Sequence, residues 1–156
     1  MSFPSHPSEE VRSDISWMLQ GLADTPGVQS AIVLTTDGLL MAHSESLGRD
    51  EADRFAAAVA GAHGVSTAMR EFCAGARAVR QNMVEFDAGF IAFTAGGENT
   101  LLAVATDADA DLNVIPYRMN DLAVRVGEQL SSQSRQPTGG TGGTGGTGGT
   151  GESSRS

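Results

Sequence analysis

The chain has 156 residues, 40% of them apolar, and a formal net charge of −9. That length suits one domain with a real core, while the acidic balance argues against general affinity for DNA or RNA, whose phosphates are held by positive charge. The apolar runs fall far short of the roughly 20 residues of a membrane-spanning helix, and a single cysteine, Cys73, excludes an intrachain disulfide.

Residues 1–7 lack the charged start and long apolar centre of a signal peptide, so they read as a disordered leader and a cytoplasmic location is expected. The first helix is predicted over Ser8–Ala23. Ser8 serves as N-cap with Glu9 and Glu10 in the first turn. Val11, Ile15, Met18, Leu19 and Leu22 form its apolar face, and Trp17 lies beside it. Thr25-Pro26-Gly27 ends it.

Two strands follow, Val28–Thr35 and Leu39–Ser44, joined by Thr36-Asp37-Gly38. Asp-Gly between apolar runs is a strong hairpin signal.

The stretch from Asp50 to Phe86 reads as a long helix running into a strand, with Asp50 and Asp53 as cap and first turn. Phe55, Val59, Ala62, Val65, Met69 and Phe72 recur at steps of three or four, as one apolar helical face does. Ala57, Gly61, Gly64 and Ala68 make a second stripe of small residues only. Each helical glycine costs about 1 kcal/mol relative to alanine, and close approach of another helix is the natural compensation. Asp53, Ala60, His63, Thr67, Arg70 and Glu71 form a third, more polar sector. Cys73, near the helix end, reads as a small core residue.

Three antiparallel strands come next, Arg77–Phe86, Phe90–Ala95 and Thr100–Thr106, joined by short turns. The runs Ala31–Leu34, Leu39–Ala42, Phe90–Phe93 and Leu101–Ala105 are apolar without alternation. Both faces of the sheet must therefore be covered, with one helix on one side and two on the other. The third strand departs from this, mixing Arg77, Arg80, Gln81, Asn82 and Glu85 with apolar residues. It reads as a sheet edge, either facing water or pairing with a second copy.

The last helix is predicted over about Leu112–Ser131, striped by Ile115, Met119, Leu122, Val126 and Leu130. Pro116 fits only in its first turn. Residues 133–156, with their Thr-Gly-Gly repeat, cannot bury apolar area and read as a disordered tail. The domain is thus expected over 8–132.

Candidate chemistry is sparse. There is no G-x-x-x-x-G-K-[ST] loop, and all ten basic residues are arginines, so no lysine could complete one. Asp107, Asp109 and Asp111 suggest a calcium loop, but the sixth and twelfth positions are Leu112 and Arg118 rather than Gly and Glu. They read instead as acids favoured at a helix start. His6, His43 and His63 are scattered, no nucleophile or zinc motif is present, and neither a metal, a cofactor nor an enzymatic activity is expected.

With the element order α-β-β-α-β-β-β-α, and with Trp17-Met18-Leu19, Pro26-Gly27-Val28, Ala31-Ile32-Val33-Leu34 and Asp37-Gly38-Leu39-Leu40-Met41-Ala42, the chain resembles the roadblock / dynein light chain family over about Val11–Ser131. The likeness is strongest to the bacterial roadblock proteins of the conservon gene cassettes. The resemblance implies an α+β, profilin-like fold with a five-stranded antiparallel sheet and helices on both faces. It implies a homodimer in which second helices pack antiparallel through Ala57, Gly61, Gly64 and Ala68. Third strands would pair across the axis through Val79, Gln81 and Met83. It further implies a small Ras-like GTPase as partner, whose cycle the dimer modulates, and a sensor-kinase-like protein of the same cassette. The polar sector Asp53, Ala60, His63, Thr67, Arg70 and Glu71 would be the partner-binding face. A small-molecule sensor domain of the PAS or GAF kind and a passive scaffold are the alternatives.

Overall fold

The structure, a computed structural model, describes residues 8–135. The expected leader over 1–7 lies outside the described residues, as do residues 136–156 of the tail expected over 133–156; residues 133–135 are helical instead. The elements run α1 (Glu9–Ala23), β1 (Val28–Thr35), β2 (Leu40–His43), α2 (Arg49–Ala68), a 3-10 turn (Met69–Phe72), β3 (Gln81–Phe86), β4 (Gly89–Ala95), β5 (Thr100–Thr106) and α3 (Val114–Arg135).

The strands form one antiparallel sheet in the order β2-β1-β5-β4-β3. Its centre is the β1–β5 pair, in register from Ala31 opposite Val104 to Thr35 opposite Thr100. Alternate residues of these strands point to opposite faces. Ala31, Val33, Leu102 and Val104 face α1 and α3, with Val11, Ile15, Leu19, Ile115, Met119 and Val126 packed on them. Ile32, Leu34, Leu101, Ala103 and Phe93 face α2 and meet Ala52, Ala56 and Val59. The apolar runs lack alternation because both faces are roofed, two helices on one side and one on the other.

Local chemistry explains the boundaries. The Ser8 hydroxyl accepts from the Val11 amide at 3.3 Å and caps α1. After Pro26, Gly27 takes φ +90°, and a Cβ there would lie 2.6 Å from Ala110 Cα. Asp37-Gly38 turns β1 into β2, with the Gly38 amide donating to the Thr35 carbonyl at 2.9 Å. β2 is shorter than expected, but Ser44 continues its role. Its Oγ accepts from the Ala31 amide at 3.0 Å, and its own amide donates to the Ala31 carbonyl at 2.9 Å.

Three expected boundaries are corrected. α2 starts at Arg49 with Gly48 as its N-cap and no side-chain cap bond. Asp50 is therefore inside the first turn, where it meets the positive end of the helix. β3 starts at Gln81 rather than Arg77, which leaves 77–80 as an approach segment touching β4 through the Ala95 amide and Arg80 carbonyl at 3.3 Å. α3 starts at Val114 and runs to Arg135, past the expected end at Ser131. Asp111 Oδ1 accepts from the amides of Asn113 and Val114 at 2.8 and 3.2 Å, so it opens the helix. Pro116 then sits in the first turn, where an N–H is not needed.

Candidate functional site

α2 rests on the sheet through Ala52, Ala56, Val59 and Ser66, all buried. At about 100° per residue, the opposite side of the helix carries Ala57, Gly61, Gly64 and Ala68. All four are exposed, and a Cβ built on Gly61 or Gly64 meets nothing within 4 Å. Nothing among the described residues requires glycine at either position.

The expected apolar face of this helix does not hold together. Phe55, Val59 and Ala62 pack on or against the sheet, whereas Val65, Met69 and Phe72 are 65%, 55% and 83% exposed. The steps explain this correction: three steps of three residues and two of four fall one residue short of five turns. The stripe winds by about 100° away from the sheet. Its outer half therefore ends in solvent.

β3 adds to that apolar surface. It is one of the sheet's two edge strands and, among the described residues, pairs only with β4. Asn82 opposes Phe93 and Val84 opposes Ile91, which places Asn82, Val84 and Phe86 on the α2 face. Val84 and Phe86 are exposed. The Asn82 amide donates to the Ser66 hydroxyl and ties this edge to α2. Val65, Met69, Phe72, Val84 and Phe86 thus lie around one end of α2 and one sheet edge. So many large apolar side chains left in water in one region is the mark of an interaction surface.

The predicted residues distribute as follows. Gln81 and Met83 are exposed but oppose Thr94 and Ala92, so they point to the α1/α3 face. Val79 is half-buried and precedes β3. Asp53 and Glu71 are exposed, with Asp53 held 3.4 Å from Arg49, a surface pair of small energetic worth. Ala60 packs against the sheet-side core. His63 sets its ring edge-on to Phe93, with centroids 6.4 Å apart, and Thr67 is half-buried. Arg70 donates to the Thr67 carbonyl at 3.1 Å and to the Arg77 carbonyl, so it braces the segment after α2. The six do not share one outward face. Cys73 is exposed rather than in the core, because the chain leaves the sheet before reaching it.

Sequence reasoning missed Val84 and Phe86 as surface residues, and it put Val65, Met69 and Phe72 on a single apolar face with Phe55, Val59 and Ala62. The winding of the apolar steps was the available signal for the latter. Among the described residues no cluster of His, Cys, Asp and Glu could hold a metal ion, and no buried side-chain polar atom lacks a hydrogen-bond partner. No helix among them is long and apolar enough to cross a membrane.

On the other side of the sheet are two open clefts. One, of about 1100 Å³, lies between α3 and the β3–β4 edge and is lined by Arg80, Gln81, Thr94, Asn120, Val124 and Glu128 among others. There the Thr94 hydroxyl donates to the Arg80 carbonyl at 2.9 Å. The other separates α1 from α3 and is bordered by Trp17 and Tyr117.

A single α2 on one face of a five-stranded antiparallel sheet, backed by α1 and α3, is the architecture of a roadblock domain. The family model for the Roadblock/LC7 domain matches residues 15–106, more than half of the chain, and the protein belongs to that family. A Roadblock/LC7 domain from Streptomyces avermitilis is 31% identical and superposes with a TM-score of 0.70, over 74% of this chain and 97% of the other. The fold is also shared by the gliding protein MglB from Thermus thermophilus, with 18% identity, a TM-score of 0.75, and 84% and 99% of the two chains covered. An MglB structure with a tetrameric arrangement matches at 18% identity and a TM-score of 0.75, covering 84% and 98%. No curated protein matches the sequence.

Proposed function

We propose that the protein is a non-enzymatic, cytoplasmic, homodimeric platform that binds a small Ras-like GTPase and modulates its cycle, as a GTPase-activating partner in bacterial signalling. The observation that carries the reading is the exposed small stripe of α2 with open space over Gly61 and Gly64. It lies beside an exposed apolar end of α2 and an unpaired strand edge.

Two copies meeting through Ala57, Gly61, Gly64 and Ala68 would bring backbones to the short end of the usual spacing of about 8–10 Å. They would cover Val65, Met69, Phe72, Val84 and Phe86, and would let β3 pair with its counterpart. In such an assembly β3 would contribute through Val84 and Phe86 more than through Val79, Gln81 and Met83. The tetrameric arrangement of MglB is a precedent for assembly on this fold.

The GTPase would dock on what the paired helices leave outward, with Asp53 and Glu71 as its accessible charges and Arg70 holding the adjoining segment. A sensor-kinase-like protein of the same gene cassette is the further partner. The test is co-purification with the GTPase encoded nearby, light scattering to count copies, and GTP turnover with and without this protein. The expected results are two copies of this chain, a complex weakened by Asp53→Arg with Glu71→Arg, and altered turnover. A single-copy mass would overturn the platform, and unaltered turnover in an intact complex would leave only a scaffold.

A further inference from the structure

The charged groups of α2 and the turn after it divide into those with a use inside the chain and two without. Arg49 and Asp53 pair at 3.4 Å, and Asp50 and Glu51 lie in the first turn, where the helix end favours anions. Arg70 is spent on the Thr67 and Arg77 carbonyls. Arg54 and Glu71 remain. Both are exposed, and among the described residues neither side chain has a hydrogen bond or an ion pair. Glu71 lies just beyond the C-terminal end of α2, where the carbonyl dipoles disfavour an anion. The single chain offers it no compensation.

The two are placed symmetrically about the small stripe. Ala57, Gly61, Gly64 and Ala68 read the same from either end, with a midpoint between Ala62 and His63. Arg54 stands three residues before Ala57, one turn along the same side of the helix. Glu71 stands three residues after Ala68, in the 3-10 turn, where residues three apart eclipse one another. When two copies cross antiparallel at that midpoint, Ala57 meets the partner's Ala68 and Gly61 the partner's Gly64. Arg54 then comes level with the partner's Glu71, and the same pairing recurs at the other end of the contact. Helix axes about 8 Å apart are within the combined reach of an arginine and a glutamate. A parallel crossing would instead set Arg54 against Arg54 and Glu71 against Glu71.

We propose that Arg54 and Glu71 form two reciprocal ion pairs between copies, and that these pairs make the α2 surface select an identical chain in antiparallel orientation. This selection rests on the homodimeric reading above and adds what the small stripe and the apolar patch lack. Small and apolar side chains accept many helices of similar shape, whereas charges at both ends reject a partner whose ends carry the wrong sign. Glu71 then serves the assembly as well as the outward surface. The copy count taken with Asp53→Arg and Glu71→Arg therefore separates lost pairing from lost GTPase docking.

Sedimentation of the full-length protein tests the pairing. Wild-type chains should assemble in twos, less tightly at about 1 M than at about 0.1 M salt, because exposed charges are screened. Arg54→Glu and Glu71→Arg each turn both pairs repulsive, so each alone should assemble at least about tenfold more weakly. An equimolar mixture of these two variants restores opposite charges at both ends and should recover wild-type affinity. The chain carrying both changes should pair with itself and refuse wild-type chains in native mass spectrometry. Arg54→Gln and Glu71→Gln serve if a reversed chain misfolds: combined, they should weaken assembly by less than the product of their separate effects. A single-chain mass for the wild type would overturn the homodimeric reading and the pairing with it. A two-chain wild type unmoved by either reversal, not recovered on mixing folded variants, or showing multiplied losses in the glutamine pair would overturn the pairing alone.

Discussion

The side-chain amide of Asn82 donates to the hydroxyl of Ser66, joining β3, an edge strand of the sheet, to the buried side of α2. Ser66 is 9% exposed and Asn82 half-buried. The bond fixes β3 and α2, the two elements that carry the exposed apolar surface, in one relative position. Ser66→Ala should lower stability by about 1 kcal/mol, the usual net worth of such a bond, in urea denaturation. It should also speed amide exchange along β3 more than along β5. Equal exchange in both strands would show that the bond does not anchor the edge.

Gly61 and Gly64 separate two effects. In the isolated chain, alanine at each has room and should stabilise α2 by up to about 1 kcal/mol per site. Leucine at both sites should leave the fold intact, as judged by circular dichroism, and reduce the native mass to that of one chain. A full-mass assembly with both leucines in place would contradict close helix approach.

Charge on the apolar patch tests the same surface without touching glycine. Met69→Glu with Val84→Arg replaces side chains that are exposed in the single chain, so single-chain stability should move by no more than about 0.5 kcal/mol. Light scattering should nevertheless record loss of the assembled form. A large drop in stability at concentrations too low for assembly would mean that these residues support the monomer.

Gly89 is a position where the fold demands glycine. It takes φ +148° in the β3–β4 turn, and a Cβ there would lie 2.1 Å from the Thr106 carbonyl oxygen. The neighbouring Phe90 amide donates to Thr106 Oγ1 at 3.0 Å, so the turn cannot easily move away. Gly89→Ala should cost more than about 2 kcal/mol, a shift that thermal unfolding would resolve. A cost under about 1 kcal/mol would show that the turn relaxes.

Much of the fold was legible. β1 and β5 fall where their apolar runs lie, because a strand covered on both faces needs no alternation. The Asp37-Gly38 turn supplies the chemistry its hairpin demands. The small stripe of α2 was read correctly as a distinct face. What the pattern did not reveal was which side of the helix meets the sheet. Ala52, Ala56 and Ser66 face the sheet, yet small and polar side chains give a weak periodic signal, whereas Val65, Met69 and Phe72 give a strong one while facing out. His63 was assigned to a polar sector by residue type, and its ring lies edge-on to Phe93. Which β3 residues face α2 depended on register with β4, and no spacing within β3 encodes that.

The central position of the β1–β5 pair also bears on how the protein is made. β1 leaves the ribosome early, but the strand that completes its inner side, from Thr100 to Thr106, is among the last parts of the domain to be synthesised. Until then Ile32 and Leu34 lack Ala103 and Leu101, and the β1–β2 and β3–β4 hairpins have no strand between them to join them. Closure through such distant segments is slow and leaves apolar strands uncovered for a time. Translation pauses or truncation before Thr100 should therefore produce nascent chains that recruit holding chaperones rather than partly folded domains.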